Sequence, residues 1–310
     1  MVAKGLSCSD LAVVIVTHHP DPGLLRTTVT GLVESVGRLV VVDNGSGAVL
    51  DSLFESLRGS GAQVVRLGRN RGIGAAQNVG MAEVADYPYT LFLDQDSHPD
   101  PGVVIRLREA MATLEAAGER VAAVGPVLVD TDTGLERHFL RIRGPWLSRR
   151  RCSGEERWIE TDFLIASGCL VSRQAWKAVG VFDESLFIDN VDLDWSFRAR
   201  ARGYRLVGVC GARMPHRVGH TARRLPGKAG TQLHVHKPRR QYYITRNRIL
   251  LWRRPHAPAG WIWHDLWRAL IRVPLFLFYV RPAWPHLYWT WRGLLDGLRG
   301  RTGPLPEEES

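Results

Sequence analysis

The stretch that decides the fold is Tyr89-Thr-Leu-Phe-Leu-Asp94-Gln-Asp96-Ser97. Five mostly apolar, β-prone residues run directly into two carboxylates that are one residue apart. Such a run predicts a buried parallel strand whose carboxyl end opens onto a cleft, where open α/β sheets bind their ligands. Two nearby carboxylates repel each other unless a cation lies between them, which favours a divalent ion that bridges a diphosphate. A solvated, Asp-rich turn is the alternative interpretation.

Further strands and helices alternate on both sides of this stretch. Predicted strands cover residues 11–17, 38–43, 63–66 and 121–124, and predicted helices cover residues 21–36, 72–85 and 101–117. Short alternating units of this kind predict a doubly wound α/β sheet with helices on both faces.

A glycine-rich segment precedes the second of these helices. It reads Gly68-Arg69-Asn70-Arg71-Gly72-Ile-Gly74 and is neither a G-x-G-x-x-G motif nor a Walker loop with its Lys, so it indicates no nicotinamide or ATPase site. Its backbone N–H groups, with Arg69 and Arg71, could receive a diphosphate at the helix N-terminus. A tight loop that packs under the sheet is the alternative.

Three acids crowd the start of a helix predicted over residues 192–202. Complementarity to the helix dipole accounts for one or two of Asp189, Asp192 and Asp194. A third acid beside aromatic residues suggests a carboxylate placed to accept a proton. His216 follows the next strand, at residues 204–209, and is either a metal ligand or a loop residue.

The charge of the chain is concentrated in its second half. The 310 residues, 45% apolar and 23% charged, are those of a globular protein, and the net charge is +10. From Trp195 to His264 there is no acid, while 16 Lys or Arg residues occur. This segment is expected to bind phosphates or an anionic surface, and nucleic acid, lipid head groups and a lipid-linked diphosphate all fit.

The cysteines and the apolar runs predict a cytoplasmic protein. Four widely spaced cysteines without a C-x-x-C pair indicate reduced thiols: Cys8, Cys152, Cys169 and Cys210. The first apolar run, residues 11–16, is too short for a signal peptide. The run at residues 273–280 is too short to span a bilayer.

Taken in order, these motifs resemble glycosyltransferase family 2, the inverting GT-A enzymes, and within it the bacterial rhamnosyltransferase-like branch. The likeness covers about residues 11–250 and rests on Thr17, Asp43-Asn44-Gly-Ser, Asn70-Arg-Gly72, Asn78-x-Gly80, Asp94-Gln-Asp96, Ser167-Gly168, Phe182-Asp-Glu184, Asp192-Leu-Asp194 and His216. The resemblance implies a GT-A fold with a Rossmann-like, doubly wound mixed sheet. Its catalytic domain would be residues 1–235, with a nucleotide-sugar half at about 11–125 and an acceptor half at about 126–235.

The resemblance also implies roles for individual residues. Asp192 matches the catalytic base, with Asp189 and Asp194 as alternatives. Asp94, Asp96 and His216 match positions that bind Mg2+ or Mn2+, and Gln95 stands where many relatives carry an acid or a small residue. The nucleotide-sugar would be held by Thr17, Asp43, Arg69, Asn70, Gly72, Asn78 and Asp94.

The implied reaction is metal-dependent, inverting transfer of L-rhamnose from dTDP-L-rhamnose to a hydroxyl of a cell-surface polysaccharide or lipid-linked glycan precursor. Transfer of galactofuranose or another sugar from a UDP donor is the alternative within this class. A nucleotidyltransferase would need a Gly-rich, basic loop after the first strand, which Thr17-His-His-Pro-Asp does not supply. A basic membrane-surface or nucleic-acid binding protein is the non-enzyme alternative, although no nucleic-acid module is recognised.

Residues 236–299 form a basic, Trp-rich extension that we expect to be helical. Seven of the 11 tryptophans lie between Trp252 and Trp291, and apolar residues recur at helical spacing from Trp263 to Phe278. An amphipathic helix of this composition fits the membrane interface, which predicts peripheral contact through residues 252–291 at the inner face of the cell membrane. Packing on the catalytic domain or in a homo-oligomer is the alternative. Residues 300–310 are expected to be a disordered tail.

Overall fold

The computed structural model describes residues 8–131, 133–216, 222–224, 232–234, 236–280 and 282–306, and eight strands of this part form the central sheet. Their order across the sheet is β3 (Gln63–Arg66), β2 (Val36–Asp43), β1 (Cys8–Thr17), β4 (Tyr89–Asp94), β9 (Cys169–Ser172), β5 (Val121–Asp130), β10 (Arg205–His216) and β8 (Trp158–Thr161). Two hairpins stand apart: β6 (Phe139–Arg143) with β7 (Trp146–Arg150), and β11 (Ala222–Arg224) with β12 (Gln232–His234).

The sheet is mixed, as predicted. Strands β3, β2, β1 and β4 pair in parallel, as do β5 and β10. Strand β9 runs antiparallel to both β4 and β5, so these two strands point the same way. Six strands therefore end at one edge of the sheet.

Six helices accompany the sheet: α1 (Pro22–Leu32), α2 (Asp51–Gly59), α3 (Ile73–Glu83), α4 (Pro101–Ala116), α5 (Arg173–Val179) and α6 (Val191–Ala201). Asp21 and Asp100 cap α1 and α4 by accepting hydrogen bonds from Leu24 N and Gly102 N, and each cap is followed by a proline at the first helical position. Helix α2 was not predicted.

The predicted buried strand β4 lies in the core. Leu91, Phe92 and Leu93 are each at most 2% exposed. Burying such side chains stabilises the fold by about 2 kcal/mol each.

Contacts divide the chain into two compact units. The first contains Met1–Arg141, Arg149–Glu184 and Val191–Arg217, and the second contains Ile142–Ser148, Ser185–Asn190 and Val218–Ser310. The second unit carries α7 (Pro238–Trp252), α8 (Ala259–Tyr279) and α9 (Ala283–Leu298). The domain boundary predicted after residue 235 stays a prediction. The contacts that join residues 142–148 and 185–190 to the second unit involve partners 60 or more positions away in the sequence.

The expected disorder of the tail is wrong for residues 300–306. Leu305 is 5% exposed, and its N–H donates to the Tyr243 hydroxyl at 2.8 Å. Gly303 N donates to Ser185 O at 2.6 Å. One apolar side chain and two hydrogen bonds therefore fix this segment, whereas residues 307–310 lie outside the described part of the chain.

The expectation of four reduced thiols is also wrong. Cys152 and Cys210 form a disulfide with a Cα–Cα distance of 5.6 Å, while Cys8 and Cys169 are free. The two residues are 58 positions apart, and the antiparallel pairing of β8 with β10 brings their segments together: Cys210 N donates to Arg157 O at 3.0 Å.

Within the described residues, none of the helices combines the length and the apolar character needed to cross a bilayer.

Candidate active site

Polar side chains end five strands at the same edge of the sheet. Thr17 ends β1, Asp43 ends β2, Asp94 ends β4, Asp130 ends β5 and His216 ends β10. The register pairs Thr17 with Asp43, and Asp130 with His216. The topology thus gathers residues that lie up to 200 positions apart onto one rim of the first unit.

Asp43 organises the turn after β2. Its buried carboxylate accepts hydrogen bonds from Ser46 N at 3.1 Å, from the Ser46 hydroxyl and from Arg66 Nε at 3.2 Å. Gly45 has φ +89°, and a Cβ there would lie 2.5 Å from Asn70 N, so only glycine fits. The proposed contact of Asp43 with a nucleoside stays a prediction, as does that of Thr17, whose buried hydroxyl lies 3.5 Å from Val42 O.

Two asparagine side chains shape the glycine-rich loop. Asn44 Nδ2 donates to Asn70 Oδ1 at 2.9 Å, and Asn44 Oδ1 accepts from Arg71 N at 2.8 Å. Asn70 Oδ1 also accepts from Gly72 N at 2.9 Å. These two N–H groups are therefore occupied by side chains instead of facing an open anion site, whereas the side chains of Arg69 and Arg71 are exposed beside the start of α3.

The side chain of Asn78 is engaged in hydrogen bonds within the first unit. Its amide donates to Phe182 O at 3.0 Å and to Glu184 Oε1 at 2.9 Å, and its Oδ1 accepts from Phe182 N at 2.9 Å. The side chain thereby fastens residues 182–184 to α3. A contact of Asn78 with the nucleotide stays a prediction.

A tight turn carries the acidic end of β4. Ser97 N donates to Asp94 O at 3.0 Å, and the buried hydroxyls of Ser97 and Ser167 are 2.5 Å apart. Gln95 Oε1 accepts from His18 N at 2.7 Å, which ties the turn to β1. Asp94 is half-buried and Asp96 is exposed. Sequence reasoning missed the contributions of Ser167 and Gln95, although Ser167 belonged to the family-like pattern.

His216 can act as a neutral ligand beside this turn. Burial, and then the charge of Arg137, lower the pKa of His216, against the opposing effects of Asp96 and Asp130. An imidazole that is neutral at physiological pH is able to coordinate a metal.

The residues of this rim fit a divalent ion that is shared with a substrate. Among the described residues, no three His, Cys, Asp or Glu side chains form a ready-made metal cage. Mg2+ is commonly held by one or two carboxylates together with substrate phosphates, rather than by a complete protein cage. The structure does not group Asp94, Asp96 and His216 into such a cage, so their role as metal ligands stays a prediction, and Asp94 and Asp96 are the carboxylates that could share an ion with a substrate.

Asp192 lies in the first turn of α6 against an aromatic wall. It is half-buried, and its Oδ1 accepts from Leu193 N at 2.8 Å. It lines a cavity of about 10 Å3, room for one water molecule, together with Phe92, Phe182 and Trp195. Burial, and then the charge of Asp192, raise the pKa of the Cys169 thiol in the same cavity. Phe92 belongs to β4, so this cavity connects Asp192 with the strand that carries Asp94.

Asp194 is bound in a buried ion pair. It is 1% exposed, and its Oδ2 accepts from Arg198 Nε at 2.8 Å. Arg198 also donates to Val179 O at 3.0 Å and to Val181 O at 2.7 Å. The carboxylate of Asp194 is thus engaged by Arg198, and the i, i+4 spacing is the sequence signal that could have identified this ion pair.

Asp189 belongs to the second unit and is also paired. Arg240 donates to both of its carboxylate oxygens, at 2.9 and 3.0 Å. Its φ of +65° is unusual for a residue other than glycine. Asn247 secures this conformation by donating to Asp189 O at 3.0 Å. Of the three acids, Asp192 is therefore the best candidate for a base.

Comparison with known proteins agrees with this arrangement. The chain is 28% identical over 298 residues to the dTDP-rhamnosyl transferase RfbF of Shigella flexneri, covering 95% of this chain and 97% of the relative. It is 25% identical over 285 residues to an N-acetylglucosaminyl-diphospho-decaprenol L-rhamnosyltransferase of Mycobacterium tuberculosis, covering 81% and 88%. A crystal structure of GalNAc-T7 with UDP, GalNAc and Mn2+ superposes with a TM-score of 0.56 at 17% identity, over 81% of this chain and 49% of that one.

The family itself follows from a match that spans β1 to α5. Residues 12–179, more than half of the chain, match the model of the family described as glycosyl transferase family 2. The fold, with its mixed sheet and its carboxyl-edge acids, is the GT-A fold of the glycosyltransferase structures. The chain belongs to glycosyl transferase family 2 and is a hexosyltransferase.

Proposed function

We propose that the protein transfers L-rhamnose from dTDP-L-rhamnose to an acceptor hydroxyl with inversion at the anomeric carbon. The observation that carries this proposal is the similarity, over nearly the whole of both chains, to a dTDP-rhamnosyl transferase. The second relative is likewise named as an L-rhamnosyltransferase.

Asp192 is the general base of the proposed reaction. Its carboxylate takes the proton of the acceptor hydroxyl, whose oxygen attacks the anomeric carbon as the bond to the diphosphate oxygen breaks. Attack on the face opposite the leaving dTDP inverts the configuration. The aromatic side chains of Phe182 and Trp195 line the cavity beside the base and limit the access of water to it.

In the proposed reaction, the negative charge that develops on the leaving dTDP would be stabilised at the carboxyl edge of the sheet. Asp94, Asp96 and His216 would hold Mg2+ or Mn2+, which supplies Lewis-acid neutralisation of the leaving diphosphate when bound. The exposed guanidiniums of Arg69 and Arg71 add positive charge from the loop before α3. We place the nucleoside between Thr17, Asp43, Asn70 and Gly72.

We propose a polyprenyl-linked glycan precursor as the acceptor. The mycobacterial relative is named for a decaprenol-linked acceptor, and a chain that uses such a substrate has to work at a membrane surface. Peripheral contact through residues 252–291, at the inner face of the cell membrane, would provide that access. A hydroxyl of a cell-surface polysaccharide is the alternative acceptor, and it would react by the same inverting attack on the anomeric carbon.

The direct test is transfer of labelled sugar to membrane lipids. Purified protein is incubated with total membrane lipids, Mg2+ or Mn2+, and either dTDP-L-[14C]rhamnose or UDP-[14C]galactofuranose. Label from the dTDP donor in the lipid extract, lost with Asp192→Asn, would support the proposal. Incorporation of label from the UDP donor alone would contradict the proposed dTDP-L-rhamnose donor and would indicate transfer of galactofuranose.

A further inference from the structure

The tip of the β6–β7 hairpin, residues 142–148, packs closely on the start of α8 in the second unit. A Cβ at Gly260 would lie 1.8 Å from Gly144 O, so the two backbones touch where neither has a side chain. Gly144 itself has φ +55°. This contact requires glycine at position 260 and holds the hairpin tip beside the helix.

An apolar groove lies along this contact. Its volume is about 520 Å3, and it is lined mainly by Ile142, Pro145, Pro258, Ala259 and Trp263. Cavities of this size are typical of sites for small molecules, and the lining suits a hydrocarbon chain better than a polar ligand.

Large apolar side chains beside the groove are exposed. Trp146 at the hairpin tip is 76% exposed, and Trp263 and Trp267 on α8 are 53% and 50% exposed. Leu270 and Ile271 continue the same helical face at 57% and 56%. Such a contiguous patch is costly in water and normally marks an interaction site.

The charge of the second unit favours an anionic partner. Its described acids are each satisfied by a cation: Asp189 by Arg240, Asp265 by Arg248 and Asp296 by Arg299 and Arg301. Exposed Arg143 stands in the hairpin tip beside the groove, and Arg268 is exposed on α8. Tryptophan and arginine around an apolar face are the composition of surfaces that lie in the membrane interface.

We infer that the hairpin tip 142–148 and the exposed face of α8 form one docking surface for an anionic phospholipid bilayer, with the groove receiving a lipid chain. The hairpin tip brings a second segment, more than 100 residues earlier in the chain, to the membrane contact of residues 252–291. This inference rests on the proposed function, because a lipid-linked acceptor lies in a bilayer and an enzyme that uses it has to bind there.

Vesicle flotation tests the inference with the full-length protein. The wild type is expected to float with phosphatidylcholine vesicles that contain about 30% phosphatidylglycerol, and less with phosphatidylcholine alone. Trp146→Ser/Trp263→Ser/Trp267→Ser should lower the bound fraction about tenfold or more, because three interfacial side chains are lost. Arg143→Glu should weaken binding to the anionic vesicles only.

A matched control is an exposed apolar residue of the first unit. Val181 is 56% exposed, and Val181→Ser should float like the wild type. Flotation of the triple variant at the wild-type level would overturn the inference. So would a wild-type dimer that the triple substitution converts into a monomer without any change in flotation, because that face would then bind a second copy.

Nucleotide binding separates this inference from the proposed function. The three tryptophans lie outside the candidate active site, so the triple variant should keep the thermal stabilisation by dTDP shown by the wild type. A wild type that floats but shows no stabilisation by dTDP would contradict the proposed donor and support the docking surface.

Discussion

Arg198 and Asp194 form an ion pair across 2.8 Å that engages one of the three acids near the start of α6. The guanidinium is fixed at the same time by two backbone carbonyls. Arg240 engages Asp189 in a comparable way. Only Asp192 combines partial exposure, a position at a helix N-terminus and an aromatic cavity.

Asp192→Asn is expected to lower the transfer rate by roughly 10²- to 10⁴-fold, since the amide cannot accept the acceptor proton. Binding of dTDP should be unchanged, because the side chain faces the acceptor in the proposed reaction. Single-turnover transfer and nucleotide titration check the two halves of this prediction. A variant with wild-type activity would contradict the role of Asp192.

Asp194→Asn serves as the matched control, because Asp194 lies two residues further along α6. It leaves the guanidinium of Arg198 without its charge partner in a buried site, so the free energy of unfolding should fall by about 3 kcal/mol. The folded fraction should still turn over donor. Loss of transfer without loss of stability would instead point to Asp194 as the base.

Asn247 is predicted to stabilise the segment that precedes α6. Its buried amide donates to Leu186 O at 2.8 Å, Ile188 O at 2.6 Å and Asp189 O at 3.0 Å. Asn247→Ala removes the side-chain donor to Ile188 O and Asp189 O, whereas Leu186 O still accepts from Arg246, and it should lower the free energy of unfolding by about 1–3 kcal/mol. Denaturant unfolding measures the change.

Arg240→Ala is the comparison for this site. Its side chain is 42% exposed, so loss of the ion pair to Asp189 should cost about 1 kcal/mol or less. An Asn247→Ala variant no less stable than Arg240→Ala would show that the three hydrogen bonds do not hold the loop.

Much of the fold was predictable because its signals are local. The buried apolar run of β4 and the prolines at the starts of α1 and α4 are visible in the sequence. The strand and the two helices that they imply are observed. The antiparallel insertion of β9 between β4 and β5 was not predictable in the same way, since its four residues carry no pairing information. Helix α2 was missed because its apolar positions are only Leu53, Phe54 and Leu57.

The site was predictable in its residue types but not in its contacts. Asp94 and His216 end strands at one edge of the sheet, and Asp96 lies in the turn directly after β4, as the pattern implied. The hydrogen-bond partners of these side chains are distant in the sequence. Phe182 N donates to Asn78 Oδ1 from 104 positions away, and Arg66 Nε donates to Asp43 Oδ2 from 23 positions away. Such pairings depend on tertiary structure, which residue patterns do not report.

The protein is predicted to lose stability in mild acid. Burial lowers the pKa of His216, His18 and His286, with Arg137 adding to the effect at His216 and His19 at His18. A histidine with a lower pKa in the folded than in the unfolded chain favours folding above its unfolded value of 6.5, and this stability is lost as the pH falls toward the folded pKa.

Thermal unfolding at about pH 7.5 and about pH 5.5 measures this effect, with a lower Tm expected in acid. His216→Gln should reduce the difference, because one of the three groups no longer titrates. A Tm that is unchanged or higher at the acidic pH would contradict the prediction.

Reduction of the Cys152–Cys210 disulfide is expected to destabilise the first unit. The bond closes a loop of 58 residues, so its loss should lower the free energy of unfolding by about 2–4 kcal/mol. Unfolding with and without reductant checks this, and Cys152→Ser should reproduce the reduced protein. Cys8→Ser, which alters a free thiol, should leave the response to reductant unchanged.

The proposed dTDP-L-rhamnose donor is tested by the thermal stabilisation of the protein by dTDP, UDP, GDP and ADP, each with and without Mn2+ or Mg2+. This measurement needs no acceptor. A ligand that binds only the folded protein stabilises it by mass action, by about 2.7 kcal/mol at a ligand concentration of 100 times Kd, and therefore raises Tm. The account predicts a metal-dependent rise with dTDP that exceeds the rise with the other nucleotides. A rise with UDP alone, or no rise with any nucleotide, would contradict it.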